Sequence, residues 1–132
     1  MAGATTTQSE VQTGSGQQKT VALVFGAVFT LVGILGPVLG GANGDLIVFG
    51  RNYIHDVIHL ASGLVGLGAG AYAGGKFAGE YLKGFGVVYL VVTVAGFALP
   101  GVFESLINLN MADNVLHLVL AVGLLGAGFG LD

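Results

Sequence analysis

The sequence predicts an all-α integral membrane protein, a four-helix bundle built from two parallel helical-hairpin repeats. Three observations predict it. Only 8% of the 132 residues are charged while 54% are hydrophobic, against about 25% charged in a soluble domain. Four long apolar segments follow one another along the chain. The second half of the apolar region also echoes the first, residue type for residue type.

Residues 1–19 are rich in Thr, Gln, Ser and Gly and lack an apolar period. They predict a disordered polar tail, and no basic region precedes a short apolar core as a secretory signal would require. The membrane domain is expected over residues 20–132, with spans at about 20–40, 53–74, 84–100 and 112–131. Segments of about 18 to 25 residues are what a helix rising about 1.5 Å per residue needs to cross about 30 Å of hydrocarbon. Between them stand Gly40-Gly41-Ala42-Asn43-Gly44, then Gly74-Gly75 with Lys76, Glu80 and Lys83, then Pro100-Gly101. Gly and Pro end helices, and Pro37 and Pro100 sit near the far ends of the odd-numbered helices, where a kink or stop costs least.

The basic residues set the expected orientation. Lys19, Lys76 and Lys83 fall on the side of both termini and Arg51 alone on the other. This predicts a multi-pass protein of the cell membrane with both termini cytoplasmic. Four basic residues against seven acidic ones leave no basic patch for nucleic acid. The absence of cysteine excludes disulfides, thiolate metal sites and thiol nucleophiles.

The repeat is legible at two offsets. Phe25-Gly26-Ala27-Val28-Phe29 matches Phe85-Gly86-Val87-Val88-Tyr89 at 60 residues, and Gly36 matches Gly96. Asn52 to Leu60 aligns with Asn110 to Leu118 at 58 residues, pairing Asn52 with Asn110, Asp56 with Asn114 and His59 with His117. Two even-numbered hairpins make the repeats parallel, so the second and fourth spans run the same way.

The residues that bear chemistry are His55, Asp56, His59, Asp113, Asn114 and His117. Residues three or four apart share a helix face. His55 therefore lies with His59, and Asp113 with His117. If helices start near Asn52 and Asn110, His59 and His117 lie at equal depth, about 9 Å inside each start. One reading is structural: Asn52 and Asn110 cap the helices, Asp56 and Asp113 favour the first turns, and the histidines fasten helix to helix. A second is ligation, with His55, His59 and His117 as metal candidates and Asp56 or Asp113 as a supporting partner or fourth ligand. Haem b held axially by His59 and His117 is a variant, the glycines making room for the macrocycle. A proton or ion path is a third, although Thr30, Ser62 and Thr93 are too few and scattered to line a pore.

Gly66, Gly70 and Gly74, echoed by Gly126 and Gly130, recur at helical spacing and predict close helix packing, within the chain or between copies. Leu46 to Phe49 and Val102 to Ile107 suit the membrane interface, with Tyr53 as an anchor.

Taken together, HDVIHLASGLVGL (55–67), KGFGVVYLVV (83–92) and LNMADNVLHLVLAVGLLG (109–126) resemble the small four-span membrane proteins grouped as domain of unknown function 4383. The resemblance covers about Thr20 to Gly128. It implies the fold and the recurring histidine-containing helix starts, and it implies no activity.

The expected function is a non-enzymatic structural or assembly module in the lipid bilayer, a homo-oligomer or a small subunit among other membrane subunits. The alternative is a haem- or metal-binding membrane protein using the His/Asp layer, with neither haem b nor a divalent metal preferred.

Overall fold

The computed structural model describes residues 2–131, with side-chain surroundings from residue 16 onward. The order is α1 (Ala2–Gly40), α2 (Tyr53–Ala71), a 3-10 turn (Tyr72–Gly74), α3 (Ala78–Ala98), α4 (Pro100–Ile107) and α5 (Met111–Gly130). Four stretches are long and apolar enough to cross a membrane: Gly16–Gly40, Tyr53–Gly74, Ala78–Ala98 and Met111–Gly130. The tail expected over residues 1–19 falls, for residues 1–15, outside the described side chains.

α1 packs chiefly along α2, and α3 along α5. The first pair is drawn together because facing residues lack side chains. A Cβ on Gly26 would stand 2.6 Å from the Leu67 amide nitrogen, and one on Gly33 2.8 Å from that of Leu60. Backbone meets backbone there, the close approach that drives helix association in lipid.

Between the pairs lies a core of Ala22, Phe29, Ala78, Tyr81, Leu82, Tyr89, Ala121 and Leu124. Outward, Leu31, Val65, Val91 and Val122 are each half or more exposed. A soluble protein keeps large apolar patches off its surface, whereas hydrocarbon makes this exterior the favourable one.

One end of the bundle holds Lys19, Gly75, Lys83 and Leu131, joined by Gln18 Nε2 donating to the Leu131 carbonyl at 2.8 Å. α3 begins at Ala78, ahead of the charge-free stretch that opens at Gly84, and takes Glu80 and Lys83 into its first turns. Lys83 is accommodated because its ammonium reaches 5.1 Å from the Phe129 ring centroid at the end of α5; its stem covers apolar surface while the charge stays at the rim. Gly74, expected to pack helices, lies in the turn at φ +71, with nothing near its would-be Cβ among the described residues.

The other end carries the loop at 41–52 and α4. Pro100 stands in the first turn of α4, where its missing N–H is harmless. Asn108 ends α4 in the left-handed region at φ 54, which Asn tolerates. In the loop, Leu46 and Phe49 exchange backbone hydrogen bonds of 2.9 and 3.0 Å around an exposed tip at Ile47.

Candidate metal centre

The site is built from two capped helix starts. Asn52 Oδ1 accepts from the His55 amide at 3.0 Å, opening α2. Asn110 opens α5 with a capping box: its Oδ1 accepts from the Asp113 amide at 2.9 Å, and Asp113 Oδ2 accepts from the Asn110 amide at 2.9 Å. Both caps also reach across. Asn52 Nδ2 donates to the Leu106 carbonyl and Asn110 Nδ2 to the Val48 carbonyl, each at 3.0 Å.

These ties set α2 and α5 at a common depth, and their histidines converge in the interior. The ring centroids of His55 and His59 are 4.4 Å apart, those of His55 and His117 5.7 Å, and those of His59 and His117 6.1 Å. One donor nitrogen from each lies within 4.8 Å of the other two. A Zn–N bond of about 2.0–2.1 Å at tetrahedral angles needs nitrogens about 3.4 Å apart, so a gap as wide as 4.8 Å would have to close by about 1.4 Å for the rings to share an ion.

Each ring has an identifiable environment. His55 Nδ1 lies 3.1 Å from the Ile107 carbonyl. A carbonyl can only accept, so Nδ1 carries the proton and Nε2 keeps its lone pair. That Nε2 is buried without a hydrogen-bond partner, as are His59 Nδ1 and His117 Nδ1. Phe29 stacks on His59 at 6.0 Å, and Tyr89 meets His117 edge-on at 5.5 Å. Tyr89 is fixed by donating its hydroxyl to Ser62 Oγ at 3.2 Å.

The rest of the expected layer is engaged elsewhere. Asp56 accepts from Arg51 Nε at 2.8 and 3.0 Å and from Nη2 at 2.6 Å. Arg51, 3% exposed, also donates to the carbonyls of Gly44 and Gly41, each at 2.6 Å. The Asp56 hydrogen bond holds the guanidinium pKa above its ordinary value. Asp113 Oδ2 further accepts from the Gly50 amide at 3.0 Å. Among the described residues neither carboxylate hydrogen-bonds a histidine; the hydrogen-bond partner present is the Ile107 carbonyl at His55 Nδ1. Asn114 turns toward α3, where its side chain closes on Gly96.

Two cavities flank the rings. The outer one, about 150 Å³, is lined by His59, His117, Asp56, Asp113 and Arg51 together with apolar side chains of the loop, α1 and α5. The inner one, about 50 Å³, touches all three histidines, Tyr89 and Ser62. Sequence reasoning missed Arg51, read as an orienting charge, and Tyr89, noted only as a position of the repeat. The signal for Tyr89 was present: it is the hydroxyl-bearing match of Phe29.

Comparison with curated proteins and with solved structures finds no match to this chain. Residues 19–130, most of the chain, match the family described as Domain of unknown function (DUF4383). With four apolar helices of membrane-crossing length and that match, this multi-pass membrane protein belongs to the DUF4383 family.

Proposed function

We propose that this is a non-enzymatic membrane protein whose three converging histidines bind one divalent first-row transition-metal ion. The observation that carries the reading is the convergence of three imidazoles whose donor atoms lie within 4.8 Å, each with a buried, unpartnered nitrogen. Leaving such a group unsatisfied costs about 1–3 kcal/mol, a cost that ligation through that nitrogen would remove. Imidazole donors suit zinc, copper, nickel and iron.

Haem is less well supported. The glycines that were to make room for a macrocycle are closed against neighbouring helices at Gly26 and Gly33, and the free spaces beside the rings measure about 150 and 50 Å³. Binding is also favoured over conduction. The Thr30, Ser62 and Thr93 hydroxyls each donate to the carbonyl four residues earlier, at 2.7 Å, which supplies no polar line through the bundle.

Titrating detergent-purified protein with Zn²⁺ or Co²⁺ tests the reading. One ion per chain is expected, and none in the His55→Ala/His59→Ala/His117→Ala variant. Equal binding by the two proteins would remove it.

We read the two hairpins as repeats. The reading is supported by the stacking of Phe29 on Tyr89 at 5.1 Å and by matched contacts, since a Cβ on Gly36 would collide with Asp56 and one on Gly96 with Asn114. Both termini are assigned to the cytoplasm: with Arg51 buried in an ion pair, Lys19, Lys76 and Lys83 are the basic residues left to orient the chain.

A second reading, self-association or service as a small subunit, is favoured by Gly126 and Gly130. A Cβ on either would meet nothing within 4 Å among the described residues, although each glycine costs about 1 kcal/mol of helix propensity relative to Ala. Native mass measurement distinguishes assembly from a monomer.

A further inference from the structure

We infer that an ion held by His55, His59 and His117 keeps one coordination position open toward the outer cavity, where it takes a small neutral nitrogen or oxygen donor from outside the chain. The inference rests on the proposed metal-binding reading and extends it to the ligand that the site accepts.

Two independent features carry it. The first is the shortage of a fourth protein ligand. Among the described residues, the side chains whose donor atoms lie within 4.8 Å of one another are the three histidines and no carboxylate. Asp56 is held by three hydrogen bonds from Arg51, and Asp113 Oδ2 by the amides of Gly50 and Asn110. Drawing Asp56 to the metal would strand the buried guanidinium, and drawing Asp113 would open the α5 capping box and leave the Gly50 amide without its acceptor. Metal sites with three protein ligands and a fourth position open to water or substrate are the exchangeable kind, whereas four protein ligands close a site.

The second is the space beside the rings. The outer cavity, about 150 Å³, is bounded by His59 and His117 on one side and by Val32, Leu46, Phe49 and Leu116 on others. A cavity of that size accepts a benzene-sized guest. Asp56 is neutralised by the Arg51 guanidinium, Asp113 is held by two backbone amides and keeps this end unfavourable to anions, and the rest of the wall is largely apolar. An uncharged five- or six-membered ring with one donor atom therefore fits better than a strongly hydrated ion. The inner cavity, about 50 Å³, leaves room for little more than water.

The test uses full-length protein in detergent, loaded with Co²⁺ and titrated with pyridine as the neutral ring donor and azide as the small anion. The expected result is one Co²⁺ per chain whose visible spectrum shifts saturably with pyridine, and more weakly with azide. Leu116→Trp, which fills the cavity, is expected to retain Co²⁺ and lose the pyridine response; Val32→Phe serves the same purpose should the first variant not fold. Stoichiometric Co²⁺ with a spectrum indifferent to both donors overturns the inference and leaves the metal site standing. A pyridine response unchanged in the filled variants also overturns it. Absence of Co²⁺ binding overturns both.

Discussion

Asn52 and Asn110 each cap their own helix and donate their side-chain amide to a carbonyl just ahead of the other's helix. Asn52 reaches Leu106, and Asn110 reaches Val48. The exchange is reciprocal, and it joins α2 and α5 at their starts, where the two helices share few close backbone approaches. Replacing Asn110 with Ala removes a cap, half a capping box and this tie. Loss of the cap alone is worth about 1 kcal/mol. We expect a lowered melting temperature in detergent together with weaker metal binding, because the depth of His117 is set by this end of α5.

Arg51 and Asp56 form a buried ion pair, 2.6 Å at its shortest. Removing one partner from such a pair costs about 3–5 kcal/mol, because the remaining charge is left uncompensated. Arg51→Ala is expected to fall in that range by chemical denaturation in detergent, and Arg51→Met/Asp56→Leu to recover much of the loss. Equal destabilisation by the single and double variants would show that the loop contacts to Gly41 and Gly44, rather than the charge pair, hold this end.

Glycines on the two faces of the helices predict opposite outcomes. Gly33→Val places side-chain atoms against the α2 backbone and is expected to cost at least about 1–3 kcal/mol, the usual penalty of overpacking. Gly126→Ala meets nothing within 4 Å among the described residues and is expected to leave the monomer unchanged or to stabilise it by up to about 1 kcal/mol. Under the self-association reading, the same substitution lowers the native mass without unfolding the chain. The two variants compared by melting and by native mass separate intrachain from interchain packing.

Imidazoles ligate only in their neutral form. Metal affinity is therefore expected to be full near neutral pH and to fall on acidification, with protons released on binding. Titration calorimetry in buffers of different ionisation enthalpy measures that release. A metal affinity independent of pH across the acidic range would assign the ion to a site other than the histidines.

Much of this was legible in the sequence because hydrocarbon demands long apolar runs and helix periodicity is strict. The four spans, the Asn52 and Asn110 caps and the shared face of His55 and His59 follow from those two constraints. What was not legible depended on pairing. Arg51 and Asp56 are five apart and straddle a helix start, a spacing that no helix-face rule singles out. Lys83 looked like the end of a loop because composition cannot foresee Phe129 beneath its stem. Glycine spacing likewise names a stripe and not its neighbour, so Gly66 meets Tyr81 and Gly26 while Gly130 meets nothing among the described residues. The Ile107 carbonyl that fixes the His55 tautomer is backbone, which carries no residue signature.

X-ray absorption at the metal edge of Zn²⁺-loaded protein tests the three-histidine centre most directly. Three imidazole nitrogens at about 2.0–2.1 Å with one further light atom are expected, and loss of one imidazole in His117→Ala. A shell of oxygens without imidazole scattering, unchanged by that substitution, would contradict it.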